Sequence, residues 1–281
     1  MPKFWKKISV VLLILVLPSL VGCDKLDQIK VKMGLKNEDF EYIKQGKVSK
    51  IIIQSTRDKG FTFVVEDDKT IEGMYKILSS AKKAQNKTTL KPDYVFEMYE
   101  NDESVHKFQY VVGIDKKSGG NLYDNQGKIY MVSSRLDNDI IKNFWNTRIP
   151  KKFQKVYYGS LLEVIKKYKN INSKDEIGID INHDVEARKF LLSSNIEEFK
   201  LDLKDENINA KLMEDNNKEY NVNMSVTTEG YTPLLYKAVV KFTDKSKGKE
   251  KLYYIWDVYE NSSWKIRIYE DKAPSINGKN F

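Results

Sequence analysis

Cysteine occurs once in the 281 residues, at Cys23. One thiol excludes a disulfide framework and any thiolate zinc cluster. Histidine occurs twice, at His106 and His183, and their separation excludes the H-E-x-x-H helix of the zinc hydrolases. No G-x-S-x-G elbow is present, and the only adjacent glycines, Gly119-Gly120, open no helix that would cradle a phosphate. Long hydrophobic runs are missing as well. The longest, Ile8 to Val16, is apolar except for Ser9, far short of the about 20 residues that span a bilayer. Charge is plentiful, but lysines alternate with acids and form no basic stripe, which argues against a nucleic-acid partner.

What is there begins at the amino terminus. Lys3, Lys6 and Lys7 precede the apolar run, Pro18 and Ser19 break it, and Gly22 puts a small residue before Cys23. This is a positive n-region, an apolar h-region and a processing site. The stretch Leu20-Val21-Gly22-Cys23 resembles the lipobox of bacterial lipoprotein signal peptides at every position. The resemblance implies a diacylglycerol on the Cys23 sulfur and cleavage after Gly22. Each buried methylene contributes about 0.8 kcal/mol, so two or more chains on one residue hold a protein on a membrane where one does not. The expected partner through acylated Cys23 is therefore membrane lipid, and the expected location is the extracytoplasmic face of the cell membrane.

Removing residues 1–22 takes away three lysines and no acid, so the net charge falls from +8 to +5. That suits residence near anionic lipid or an acidic wall polymer. Abundant Lys, Asn, Ile and Tyr with scarce Arg suit an AT-rich genome, in line with a Gram-positive source. At 41% hydrophobic and 12% aromatic residues, the remainder can fill the cores of two domains.

The pattern divides the chain into a signal peptide (1–22), an anchor and tether (23–46), two domains (47–149 and 150–272) and a frayed tail (273–281). In the first domain, KVSKIIIQST and FTFVVE flank the turn RDKG and read as a hairpin, with Gly60 at a position that tolerates positive φ. Asp67 or Asp68 caps a helix whose Ile71, Met74, Tyr75, Leu78 and Ala81 share one face. Strands DYVFEMYE, SVHKFQYVV and GKIYMVS follow. Ser134 to Asp137 then reads as a capping box opening a helix through Leu136, Ile140 and Phe144. The order is ββαβββα. This order and the start KIIIQSTRDKGFTFVVED resemble the YhfM-like domain, over roughly residues 47–147, and the resemblance brings no catalytic residues.

The second domain opens with a helix through Leu161, Val164, Ile165 and Tyr168, followed by the loop NINSKDEIGIDINHD and a helix bearing Ala187, Phe190 and Leu191. Strands then alternate at Phe199, Leu201 and Leu203, at Ile208, Ala210 and Leu212, and through EYNVNMSVTT, YKAVVKFT, KLYYIWDVYE and WKIRIYE, the last two joined at Glu260 to Ser263. Helices followed by an antiparallel meander resemble the nuclear-transport-factor-2-like (NTF2-like) cone, over residues 153–272. The expected fold class is α+β, two small domains each with an antiparallel sheet packed against helices.

Candidate chemistry is sparse. His106 lies mid-strand with no acid visible beside it. His183 has Asp180, Asp184 and Glu186 within a few residues, and Asp184 reads as a helix cap. His183 and Asp180 are the catalytic candidates, since cone folds host Asp–His pairs in their cavity. No metal and no cofactor is expected. Tyr253, Tyr254, Trp256 and Tyr259 stud one strand, Tyr253 with Tyr259 on one face and Tyr254 with Trp256 on the other. One face packs as core and the other suits recognition, where aromatics are enriched. The expected role is a non-catalytic binding or scaffold module contacting an envelope protein or wall polymer. The alternatives are a wall or small-ligand enzyme using the second domain's cavity, and the solute-binding lipoprotein of an importer.

Overall fold

The computed structural model describes residues 29–33, 36–100, 104–114, 119–142, 149–172, 175–213, 219–276 and 279–281. The signal peptide and Leu20, Val21, Gly22 and Cys23 lie outside them, as does Phe144. The chain is α+β, with two domains that each pair an antiparallel-rich sheet with helices.

The first domain begins earlier than the hydrophobic pattern implied. Residues 37–46, expected as tether, pack onto its core. Phe40 and Ile43 are buried, the latter on the short helix α1 (Glu41–Lys44). Asn37 fixes this segment by donating from Nδ2 to the carbonyls of Leu78 and Ala81, at 2.9 and 2.7 Å. Helix α2 (Asp68–Leu78) starts where Asp67 accepts from the amides of Lys69 and Thr70. Its Ile71, Met74, Tyr75 and Leu78 are buried, as is Ala81 just beyond it. The sheet has seven strands: β1 (Val48–Ser55), β2 (Thr62–Val65), β3 (Lys82–Lys83), β4 (Tyr94–Glu100), β5 (Ser104–Tyr110), β6 (Leu122–Asp124) and β7 (Ile129–Met131), in the order β2-β1-β4-β5-β6-β7-β3. The short strands β3 and β6 have no alternation long enough to read in the sequence. Gly60 does not take a positive φ, whereas Gly127 in the β6–β7 turn does, at 91°. The expected capping box is absent: Leu136–Ile141 is a π-helical turn. Asp137 faces inward there, and Tyr110 Oη donates to it.

The second domain opens with α3 (Phe153–Asn172). Its sheet contains the expected antiparallel meander and adds two parallel pairings through a strand in the stretch expected as a loop. The loop contains β8 (Ile177–Asp180), whose Ile177 and Ile179 are buried together with Ile181 just after it. This strand runs parallel both to β9 (Ala210–Leu212) and to β10 (Val222–Thr232). Strands β11 (Leu235–Asp244) and β12 (Lys249–Glu260) continue antiparallel. The last stretch splits into β13 (Ser263–Lys265) and β14 (Ile268–Glu270), both on β12. The order is β13-β12-β11-β10-β8-β9.

Two helical assignments change. The segment with Ala187 and Phe190 is only a 3-10 turn, Arg188–Phe190. The segment Phe199 to Leu203, expected as a strand, lies in helix α4 (Ser193–Asp205). Phe199 and Leu203, four apart, are buried while Leu201 is 58% exposed, as a helical stripe requires. The described tail residues also form structure. A hairpin of β15 (Ser275–Ile276) and β16 (Lys279–Asn280) returns Phe281 onto the sheet, 5.1 Å from the ring of Tyr254.

Candidate binding cleft between the two domains

The domains are joined through a buried polar latch. Asp93 closes the loop before β4 and is 1% exposed. Its Oδ1 accepts from Arg57 Nη1 at 2.7 Å and from the Ser193 amide at 2.8 Å, and its Oδ2 accepts from the Val112 amide at 2.8 Å. Ser193 is the first residue of α4, and its predecessor Leu192 has no side chain that can cap. A carboxylate of the first domain therefore satisfies the N-terminus of a helix in the second, where backbone amides and the helix dipole favour a negative charge. Ser193 Oγ donates to the Lys91 carbonyl at 2.8 Å, and Arg57 Nη2 donates to Ser193 Oγ at 2.5 Å. Burial pushes the Asp93 carboxyl above its ordinary range, with Arg57 and the amide donors pulling the other way. Apolar contacts flank the latch. Phe61 meets Phe190 edge-on at 6.2 Å, and Leu192 joins the first domain's core.

Beside the latch lies a cleft of about 730 Å³, within the usual range for small-molecule sites. Thr56, Arg57 and Lys91 line it from the first domain, and Arg188, Glu197 and Lys200 from the second. Four cations face it against one carboxylate. Leu90, Ile181, Ile196, Leu212 and Met213 supply an apolar wall. The pattern read no signal at these positions, because Arg57 lies in a turn, Lys91 precedes a proline and Arg188 sits on a single helical turn. Only the docking of the domains brings them together.

The sequence candidates lie elsewhere. His183 Nδ1 and Asp180 Oδ2 are 2.6 Å apart, so the pair forms, but the His183 side chain is 88% exposed. Asp180 Oδ1 accepts from the amides of Asn182 and His183, which makes the acid a loop organiser. Asp184 does not cap an open helix. It is 1% exposed and accepts from the Thr228 amide at 3.0 Å, Thr228 Oγ1 at 2.8 Å and Tyr157 Oη at 3.2 Å. Burial raises its carboxyl, and these donors oppose the rise. His106 does find an acid, Glu100 Oε2 at 2.8 Å across the β4–β5 hairpin, and stacks on Tyr42 with ring centres 4.0 Å apart. Among the described residues, no group of three or more His, Cys, Asp or Glu side chains is placed to hold a metal ion, and no helix is long and apolar enough to cross a membrane.

The aromatic strand divides as its alternation requires. Tyr253 is buried in the second core, edge-on to Phe242. Tyr254 and Trp256 face outward, but Phe281 lies against both, and the Lys237 ammonium sits 5.0 Å from the Trp256 ring centre. Tyr259 packs on Trp264 at 5.3 Å, beneath the ammonium groups of Lys151 and Lys152. The C-terminal Phe281 and the interdomain lysines thus cover much of this surface, and Trp256 is buried.

A further carboxylate, Asp257, is fully buried on the inner face of β12. Its Oδ1 accepts from the Arg267 amide at 2.8 Å, in the break between β13 and β14. Its Oδ2 lies 2.5 Å from Ser160 Oγ, which is also 2.5 Å from the Val156 carbonyl. A hydroxyl has one proton. With Asp257 protonated, the acid donates to Ser160 and Ser160 donates to Val156, so every group is satisfied. Burial pushes this carboxyl up to about 7, against the pull of Ser160 and the Arg267 amide.

No curated protein and no solved structure matches the chain. Residues 44–150 match the model of the family described as YhfM protein. The first domain, from its opening strands to Pro150, is therefore YhfM-like.

Proposed function

We propose that this chain is a lipid-anchored, extracytoplasmic protein of a Gram-positive envelope, whose two-domain body is a non-catalytic binding or scaffold module. One observation carries the reading: the only cysteine follows a basic, then apolar, leader in the frame Leu20-Val21-Gly22-Cys23. The body's buried acids support a non-catalytic role. Asp93, Asp184 and Asp257 each serve hydrogen bonds that hold elements together, and the Asp180–His183 pair stands in solvent. The second domain is read as NTF2-like, from α3 packed on β11 and β12 ahead of the sheet's long strands. Its interior is filled by Phe153, Tyr157, Phe190 and Tyr236. Solute binding is the second reading, and the interdomain cleft favours it.

Labelling of cells with radioactive palmitate tests the anchor. Wild type is expected to carry label and partition into detergent, and Cys23→Ser to lose both. An unlabelled wild type, or unchanged partitioning of the variant, overturns the anchor. Asp180→Ala with His183→Ala is expected to leave the cellular phenotype intact. Loss of phenotype with a normal melting curve would instead assign an enzyme.

A further inference from the structure

The interdomain cleft holds features beyond a general binding role. Its cations come from both domains: Arg57 and Lys91 from one, Arg188 and Lys200 from the other. One is oriented before any ligand arrives. Arg57 is held by Asp93 and Ser193, bonds that engage two of the five N–H donors of a guanidinium. Arg188 is under-bonded. Its Nη2 lies 3.6 Å from Asp58 Oδ1, beyond hydrogen-bond length, and its Nε has no acceptor. Lys91 is exposed at the cleft's rim. Lys200 is offset by Glu197 at 2.8 Å. The acids facing the cleft or pairing its arginines are thus Glu197, Asp58 and Asp93, and Lys91 and Arg188 retain the least-neutralised charge.

We propose that the cleft binds an organic phosphate with an apolar portion. Cations on opposing walls suit an anion with several oxygens, since each wall can reach a different oxygen. A carboxylate offers two acceptor oxygens and one charge, whereas a phosphate monoester offers three and close to two charges. Leu90, Ile181, Ile196, Leu212 and Met213 supply the surface that buries the ligand's apolar part. The hydroxyl of Thr56 is engaged with the Pro92 carbonyl, so charge, not hydroxyl donation, selects the ligand. Because the ligand bridges the domains, its binding also holds them docked. The inference rests on the reading of the body as a binding module and not on the lipid anchor.

Calorimetric titration of the full chain in a non-ionic detergent tests it, with phenyl phosphate, phenol and dioctanoyl phosphatidylglycerol as probes. Phenyl phosphate is expected to bind at least tenfold more tightly than phenol. Lys91→Ala is expected to weaken it at least fivefold, and Lys91→Ala with Lys200→Ala at least twentyfold, with unchanged melting temperatures. Lys265→Ala, which removes an exposed charge outside the cleft, is expected to change nothing. Tighter binding of the lipid than of phenyl phosphate assigns the phosphate to a headgroup, and weaker binding assigns it to a soluble ester. Equal affinity for phenyl phosphate and phenol overturns the proposal, as does a double variant that binds like wild type. Palmitate labelling reads the anchor separately, so failure of the cleft and failure of the anchor are told apart.

Discussion

At the scale of single residues, the decisive groups are buried carboxylates, and Asp257 shows why. Its folded-state value near 7 lies well above its ordinary 3.8, so the folded chain holds the proton more tightly than the unfolded chain does. Stability from this group is complete below about pH 4 and is lost as pH rises through about 7. Asp257→Asn retains a donor for Ser160 and an acceptor for the Arg267 amide while removing the charge. Relative to wild type, the variant should gain about 2 kcal/mol between pH 5 and pH 8. Urea unfolding of both proteins across that range measures the gain, and a constant difference would show that Asp257 is not the titrating group. None of this was legible from sequence. Asp257 sits in a strand of alternating aromatics, and its partner Ser160 is 97 positions away on a helix. Asp184 misled for a related reason. An acid before a hydrophobic run resembles a cap, and only the fold shows Thr228 and Tyr157 closing over it.

At the scale of elements, legibility followed how local the signal was. Helix α2 has its cap at Asp67 and its apolar face in one stretch, so its start and face agree with the structure, while Ala81, expected on the helix, lies just past its end at Leu78. Helix α4 has no local cap, and its start is satisfied by Asp93 from 100 positions away. Without that signal, Phe199, Leu201 and Leu203 look like a strand. Strand β8 was hidden differently. Ile177, Ile179 and Ile181 alternate cleanly, but Gly178 and Asp180 between them read as loop punctuation. The structure gives Gly178 a role: a Cβ there would lie 2.5 Å from Cδ2 and 2.6 Å from Cγ of the buried Tyr220 ring. The ring lies against the strand backbone, and no side chain fits between them. Gly178→Ala gains strand propensity of less than about 1 kcal/mol but overpacks the site by about 1–3 kcal/mol. A net loss of about 1–2 kcal/mol in urea unfolding is expected, and a variant as stable as wild type would mean the ring moves aside freely.

At the scale of the whole molecule, the question is whether two domains act as one body. The ββα start of the first domain was legible because its signals are local. The docking was not, because it rests on Arg57, Asp93 and Ser193, residues with no shared periodicity. The latch is small in area but expensive to break on one side. Removing Asp93 leaves the Arg57 guanidinium and the amides of Ser193 and Val112 without their acceptor, and an orphaned partner of a buried ion pair costs about 3–5 kcal/mol. Much of that cost falls on the interface, so Asp93→Ala should weaken docking more than either core. Ser193→Ala removes only the hydroxyl contacts to Lys91 and Arg57 and should act in the same direction by about 1 kcal/mol. Scanning calorimetry of wild type should give one unfolding transition for the body, and Asp93→Ala two separated ones. Small-angle scattering should show the variant expanded, with Ser193→Ala between it and wild type. A single transition and an unchanged radius of gyration for Asp93→Ala would mean that Phe61, Phe190 and Leu192 dock the domains without the latch. The cleft would then owe its cations' placement to apolar packing alone.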